Sequence, residues 1–167
     1  MIRPLACALT AACIVATASA EGAGEVTLDI EGETYAFPLW ESQSDWSGSE
    51  SYASVNIYAR PTDKETWSKF KTFTLGFETM GSNISAPEAR LTRMVNGDQQ
   101  RLFAGEDQDE GGLKVTVDST SVTGDALSIT GSFVAQMGPS DNFGRDIDLS
   151  DPVEITGRFD VKLGPVE

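Results

Sequence analysis

Two near-copies decide the fold of this chain, Leu127-Ser-Ile-Thr-Gly-Ser-Phe-Val-Ala135 and Val153-Glu-Ile-Thr-Gly-Arg-Phe-Asp-Val161. Each contains Ile-Thr-Gly-x-Phe, and in each copy apolar residues alternate with polar ones. Alternation with a period of two is typical of a strand that has one face buried. The copies therefore predict two core strands, and two copies are too few for a propeller or a solenoid.

The glycine in the middle of each copy needs a reason, because glycine weakens a strand. If the two strands pair antiparallel with Phe133 opposite Gly157, the same register places Phe159 opposite Gly131. Each phenylalanine ring would then cover the glycine of the other strand. We predict this register, and we interpret both copies as scaffold rather than as a ligand site.

The rest of the chain predicts more short strands separated by turn residues. A hairpin closed at Glu31-Gly32 is expected near the beginning, because it brings Leu28 opposite Tyr35 on one apolar face. Residues 85–97 fit either a helix or a strand. The strand is favoured because the neighbouring segments are strand-like, and a turn at Asn96-Gly97 then places Leu91 opposite Leu102.

About eight strand candidates follow one another at short spacing, with Gly, Asn and Asp in the turns. This pattern predicts an all-β fold, an antiparallel β-sandwich, with a small β-barrel as the alternative. We expect residues 21–167 to form this single domain.

Residues 1–20 predict a cleaved secretory signal peptide. Arg3 precedes an apolar run, and Ala18-Ser19-Ala20 matches a cleavage site with small residues. A lipoprotein signal with Cys13 as its lipid-bearing residue is the alternative. The protein is therefore expected to be exported, to the periplasm or the extracellular space, and no later apolar run is long enough to span a membrane.

Composition excludes several classes of function. The chain has 12 basic and 26 acidic residues and a net charge of −14, which disfavours nucleic acid and anionic membranes as partners. It has no histidine, and both cysteines lie within the predicted signal peptide. Ser-His-Asp or Cys-His catalysis and Cys/His zinc sites are thereby excluded. We predict a non-catalytic protein and assign no catalytic, cofactor-binding or metal-binding residue.

Two acidic loops carry candidate oxygen ligands for a calcium ion. They are Asp146, Asp148 and Asp151 in the connection from Gln136 to Pro152, and Glu106, Asp107 and Asp109 in an earlier loop. Neither loop has the residue spacing of an EF-hand, so calcium binding is a hypothesis rather than an assignment.

The predicted role is binding or interaction with a protein or a glycan. One alternative is a carbohydrate-binding module, with or without calcium, in which Trp46 is an aromatic platform on an exposed loop at residues 41–51. The other alternative is an accessory subunit of a cell-surface assembly, whose edge strand accepts a strand from a partner. Residues 136–152 are the preferred location for a site.

Overall fold

The computed structural model describes residues 23–106 and 112–166. The all-β prediction is confirmed, with ten strands in these residues instead of about eight. A 3-10 turn at Glu41–Gln43 and one short helix, α1 (Lys64–Lys69), are also present. The strands are β1 (Gly24–Ile30), β2 (Glu33–Pro38), β3 (Asp45–Ser49), β4 (Tyr52–Ala59), β5 (Phe70–Met80), β6 (Asn83–Val95), β7 (Asp98–Gly105), β8 (Lys114–Thr123), β9 (Ala126–Pro139) and β10 (Val153–Pro165).

The predicted signal peptide lies outside the described residues. Within those residues, no helix is both long enough and apolar enough to cross a membrane.

All ten strands belong to one sheet, in the order β2-β1-β10-β3-β4-β5-β6-β7-β9-β8. Strand β10 also pairs with β9, so the circuit from β10 through β3 to β7 and back through β9 is closed. The joins β10–β3 and β7–β9 are each only two residue pairs long. Strands from different parts of this sheet share one core, where Phe73 of β5 stacks on Phe133 of β9 at 5.2 Å between ring centroids.

The register predicted for the two near-copies is confirmed. Strands β9 and β10 pair antiparallel with Phe133 opposite Gly157 and Phe159 opposite Gly131. A Cβ atom added to Gly157 would lie 2.4 Å from Phe133 Cζ, and one added to Gly131 would lie 2.4 Å from Phe159 Cζ. Each ring thus occupies the space that a side chain on the opposite glycine would need.

Two further registers from the sequence are also confirmed. Leu28 lies opposite Tyr35 in the first hairpin, and Leu91 lies opposite Leu102 in the hairpin of β6 and β7. Residues 85–97 therefore belong to a strand and its turn rather than to a helix. In both hairpins a residue with positive φ is followed by a glycine, which is the conformation that a two-residue type I′ turn requires.

The prediction of an exposed loop at residues 41–51 is wrong. Strand β3 lies within this segment, and the Trp46 side chain is buried, with its indole Nε1 donating to the Asp125 carbonyl oxygen at 2.9 Å. Trp46 is the one buried residue of this strand, so the alternation that reveals a strand in a sequence is absent.

Three side chains connect β2 to the end of α1. The Tyr35 hydroxyl donates to the Glu33 carboxylate, and Lys69 Nζ lies 3.4 Å from both Glu33 Oε2 and Tyr35 Oη. The Tyr35 hydroxyl, together with Lys69, lowers the pKa of Glu33. Hydrogen bonds to Tyr35 and Glu33 raise the pKa of Lys69.

Tyr35→Phe is expected to lower the melting temperature slightly, and by a pH-dependent amount. The lowered pKa of Glu33 gives stability that is present above its ordinary value of 4.5 and is lost as the pH falls through the folded value. The raised pKa of Lys69 gives stability that is present below 10.5 and is lost as the pH rises through the folded value. Thermal unfolding at acidic, neutral and alkaline pH should therefore show the largest difference from wild type near neutrality. A difference that is constant with pH would contradict this account of the network.

Candidate functional site

A groove of about 600 Å³ crosses the outer face of strands β4 to β7. The floor and one side of the groove are formed by two rows of residues that run across the four strands. The register of the strands places the residues of each row side by side. The first row is Tyr58, Thr74, Arg90 and Phe103, and the second row is Asn56, Gly76, Glu88 and Gly105.

Gly76 and Gly105 give the groove its depth. Neither glycine is among the residues with positive φ, so backbone conformation does not require glycine at these positions. A Cβ atom on Gly105 would meet nothing nearer than the Pro87 carbonyl oxygen at 3.9 Å, and one on Gly76 would meet the flexible Glu88 side chain at 3.3 Å. The Glu88 side chain therefore covers Gly76, whereas the space above Gly105 is open. Since glycine weakens a strand, this open space is the feature that a larger side chain at Gly105 would remove.

Strand β6 bulges at the edge of the groove. Its register with β5 shifts by one residue, and Ala86 and Pro87 together lie opposite Phe77. Ala86 has a φ of 47°, and its amide donates to Glu106 Oε2 at 3.0 Å. Bulges are common beside binding sites because they redirect side chains and end regular pairing. Here the bulge bends the backbone at the rim of the groove, and Glu106 holds it.

The connection between β9 and β10 supplies the opposite wall. Its residues Phe143, Gly144 and Arg145 line the groove. Gly144 packs on Phe103, where a Cβ atom would lie 3.0 Å from the ring carbon Cδ1. The Phe143 side chain is 80% exposed. An aromatic ring presented to solvent beside a groove is a feature typical of interaction sites.

Hydrogen bonds within this connection fix its shape. The Ser140 hydroxyl accepts from the Gly144 amide at 2.8 Å. Asn142 Oδ1 accepts from the Asp146 amide at 2.9 Å, while Asn142 Nδ2 donates to the Asp146 carboxylate at 2.6 Å. The wall is therefore ordered before any ligand arrives, which lowers the entropic cost of binding.

Backbone strain is concentrated at the groove. Four non-glycine residues in the described part of the chain have positive φ, and Glu31 and Asn96 do so in hairpin turns. The other two, Ala86 and Phe143, both line the groove. Bulky residues seldom adopt this conformation, and strain of this kind is typical of functional sites.

The preferred segment, residues 136–152, contributes to the groove, although not through its aspartates. Asp146 bonds within the loop, as described above. The Asp148 carboxylate accepts from the Ser150 amide at 2.9 Å, and hydrogen bonds to Ser150 lower the pKa of Asp148. Asp151 lines a separate depression beside Arg93. Asp146 and Asp148 line one depression together, whereas Asp151 lies apart from it, so the three candidate calcium ligands of this loop do not converge on one point.

Of the other acidic loop, Glu106 lies at the groove, whereas Asp107 and Asp109 lie outside the described residues. Within residues 23–106 and 112–166, no group of three or more His, Cys, Asp or Glu side chains is arranged to hold a metal ion. Calcium binding stays a prediction. It would be contradicted by a melting temperature that neither calcium nor a chelator changes.

The structure corrects the candidate aromatic platform. Trp46 is 6% exposed and packs in the core, so it cannot present its ring to a ligand. Phe143 is the exposed ring at the groove, and it was missed because a single phenylalanine in a polar connection has no periodicity. The glycines were missed because their positions in one row depend on the registers of two hairpins, β5 with β6 and β6 with β7. The signal available in the sequence was Gly76, which interrupts the Phe- and Thr-rich strand β5.

The groove offers the chemistry of polar recognition. Amide and hydroxyl groups on its floor can donate and accept, two guanidinium and two carboxylate groups line it, and one apolar ring stands at its wall. No protein-family model, curated protein or solved structure matches this chain. Function is therefore inferred from the groove itself.

Proposed function

We propose that this chain is an exported, non-catalytic binding protein that holds a carbohydrate in the groove across β4 to β7. The observation that carries the proposal is Gly105, above which the floor of the groove is open although neither the backbone nor the core requires glycine there. A ligand bound in the groove would explain why glycine is present on the floor.

The lining of the groove favours a sugar among small polar ligands. A sugar ring has hydroxyl groups at its edge and an apolar C–H face. The Asn56 amide, the Tyr58 hydroxyl and the Thr74 hydroxyl line the groove and can bond to hydroxyl groups. The exposed ring of Phe143 can cover an apolar face. The net charge of −14 disfavours nucleic acid in the same groove.

Export is proposed from the sequence of residues 1–20, with lipid attachment at Cys13 as the alternative. N-terminal sequencing of the mature protein from the producing cell separates the two. A chain that begins at residue 21 supports secretion, and a blocked, lipid-modified Cys13 supports the alternative.

Gly105→Val tests the groove. The added side chain enters open space, and valine favours strands, so we expect a melting temperature equal to or above that of wild type. Binding of the best oligosaccharide from a glycan array should weaken about tenfold or more, because the side chain fills the floor. Isothermal titration calorimetry measures the affinity.

Gly164→Val is the matched control. Gly164 also lies in a strand with nothing within 4 Å of an added Cβ atom, but it is outside the groove. This variant should bind as wild type does. The proposal would be overturned by a folded Gly105→Val protein with wild-type affinity, or by an array on which no glycan binds.

A second candidate, the accessory subunit of a surface assembly, is favoured by one observation. Strands β2 and β8 are at the two ends of the sheet order, so among the described strands each is paired along one edge only. The register of β8 shifts between Val117 and Ser119, and a bulge of this kind disfavours strand addition. A partner that pairs with an edge strand would bind Gly105→Val as tightly as wild type, which separates the two functions.

A further inference from the structure

We infer that the groove selects a carbohydrate that carries a carboxylate, such as a uronic-acid unit, and that Arg90 and Arg145 bind this group. The inference rests on the proposed function and names the class of sugar that the groove takes.

Two guanidinium groups line the groove, and neither forms an ion pair with a carboxylate of the described residues. Arg90 lies in the row between Thr74 and Phe103, and Arg145 lies in the wall formed by the β9–β10 connection. Among the described residues, ion pairs within 4.0 Å are formed by Lys69 alone. Arg90 donates to the Tyr58 hydroxyl at 3.4 Å, which is a long bond.

Arg90 and Arg145 differ from the other described arginines without an ion pair in their location, because both line the groove. Acidic residues outnumber basic ones by 26 to 12, so carboxylates for internal ion pairs are abundant. Two carboxylates line the groove itself, but Glu106 bonds to the Ala86 amide. Glu88 lies across Gly76, with its Cγ 3.3 Å from the position of an added Cβ atom. Within residues 23–106 and 112–166, neither arginine of the groove forms an ion pair with a carboxylate, so both can bind an anionic group of a ligand.

Guanidinium and carboxylate groups suit each other geometrically. The planar guanidinium donates two parallel hydrogen bonds to a carboxylate, and such charge-assisted bonds are stronger than neutral ones. A uronic acid adds this group to a sugar ring, whose hydroxyls meet the polar floor and whose C–H face meets Phe143. A uronic acid would then contact the two arginines, the polar floor and the Phe143 ring at the same time.

An acidic peptide fits the groove less well than an acidic sugar. The floor is the face of four strands whose backbone groups are already paired with one another. A peptide bound there would leave its own amide and carbonyl groups without the backbone partners that an edge strand provides. Sugar hydroxyls need side-chain partners instead, and the floor offers them.

The test compares oligomers of galacturonate, glucuronate and mannuronate with their methyl esters by calorimetry. We expect at least one acid form to bind about tenfold or more tightly than its ester, and added salt to reduce that difference. Arg90→Gln and Arg145→Gln should each reduce the preference for the acid, measured as the ratio of the affinities for acid and ester. Arg101→Gln is the control, because Arg101 lies on β7 outside the groove, and it should keep the preference.

The outcomes separate this inference from the function on which it rests. Equal affinity for acid and ester overturns the inference and supports a neutral-sugar groove. Absence of binding by any saccharide overturns both. Oligoglutamate that displaces the uronate from wild type with equal affinity also overturns the inference, because the carboxylate alone would then suffice. Melting temperatures of the variants establish that each is folded.

Discussion

Replacing Phe133 with alanine is expected to destabilise the protein by about 3–5 kcal/mol. The ring is 2% exposed, stacks on Phe73 with an interplanar angle of 12°, and covers Gly157 on the neighbouring strand. Its loss removes contacts with Phe73 of β5 and with Gly157 of β10 at once. Urea unfolding followed by tryptophan fluorescence measures the change in free energy.

Val134→Ala is the control for this prediction. Val134 is the next residue on β9, but it is 54% exposed on the outer side of the strand. Its truncation should change the free energy of unfolding by less than about 0.5 kcal/mol. A loss below about 1 kcal/mol for Phe133→Ala would show that the ring is not a central element of the core.

Adding one methyl group at Gly157 should be nearly as damaging. In Gly157→Ala the new Cβ atom would lie 2.4 Å from Phe133 Cζ and 2.8 Å from the Thr27 carbonyl oxygen. A ring can shift, but the backbone oxygen belongs to the paired strand β1 and cannot move without disturbing that ladder. We expect a loss at or above the upper end of the roughly 1–3 kcal/mol that is typical of overpacking. Gly164→Ala, which meets nothing within 4 Å, should be close to neutral.

A double-mutant cycle isolates the contact between ring and glycine. Phe133→Leu withdraws the ring atoms nearest to Gly157, so the Gly157→Ala substitution should cost less in that background than in wild type. Residues in direct contact couple by about 0.5–3 kcal/mol. Strictly additive free energies would contradict the packing of Phe133 on Gly157.

The packing of β9 on β10 could be predicted because each of these strands shows a clear pattern of apolar residues in its own sequence. The alternation in β9 and β10 identifies their inner faces, and the two glycines fix the register, since both ring-to-glycine pairs require the same alignment. The turn residues at Asn96-Gly97 fix the hairpin of β6 and β7 in the same way. The register of β6 and β7 thus follows from their turn residues, and that of β9 and β10 follows from their matching phenylalanine and glycine residues.

The location of Trp46 could not be predicted, because its burial depends on distant segments. Strand β3 is short and rich in Ser and Gly, and its partners β4 and the end of β10 determine its place. The sequence around Trp46 has the composition of a loop. A strand that buries only one residue has no alternating pattern, so composition alone predicts a loop here. The hydrogen bond to Asp125 comes from a turn 79 positions away.

The groove could not be predicted from the sequence either, because it is formed by residues that are distant along the chain. Gly76 and Gly105 are 29 positions apart, and they become neighbours in one row only through Glu88 on the intervening strand. The bulge at Ala86 and Pro87 changes which residues of β6 share that row. One misplaced residue in that bulge would have moved every outward side chain to the other face. Residues 136–152 were preferred as a site because of their aspartates. The segment does form one wall of the groove, but it does so through the ring of Phe143.

Amide chemical shifts test most directly whether a ligand occupies the groove. Isotope-labelled wild-type protein would be titrated with a panel of acidic and neutral oligosaccharides, and the shifts mapped onto the sequence. We predict that a binding saccharide moves the amides of Gly76, Gly105 and Gly144, while those of the exposed helix residue Trp67 and of strand β8 stay in place. Shifts that cluster on α1 or β8, or a panel that moves no amide at all, would contradict the groove as the binding site.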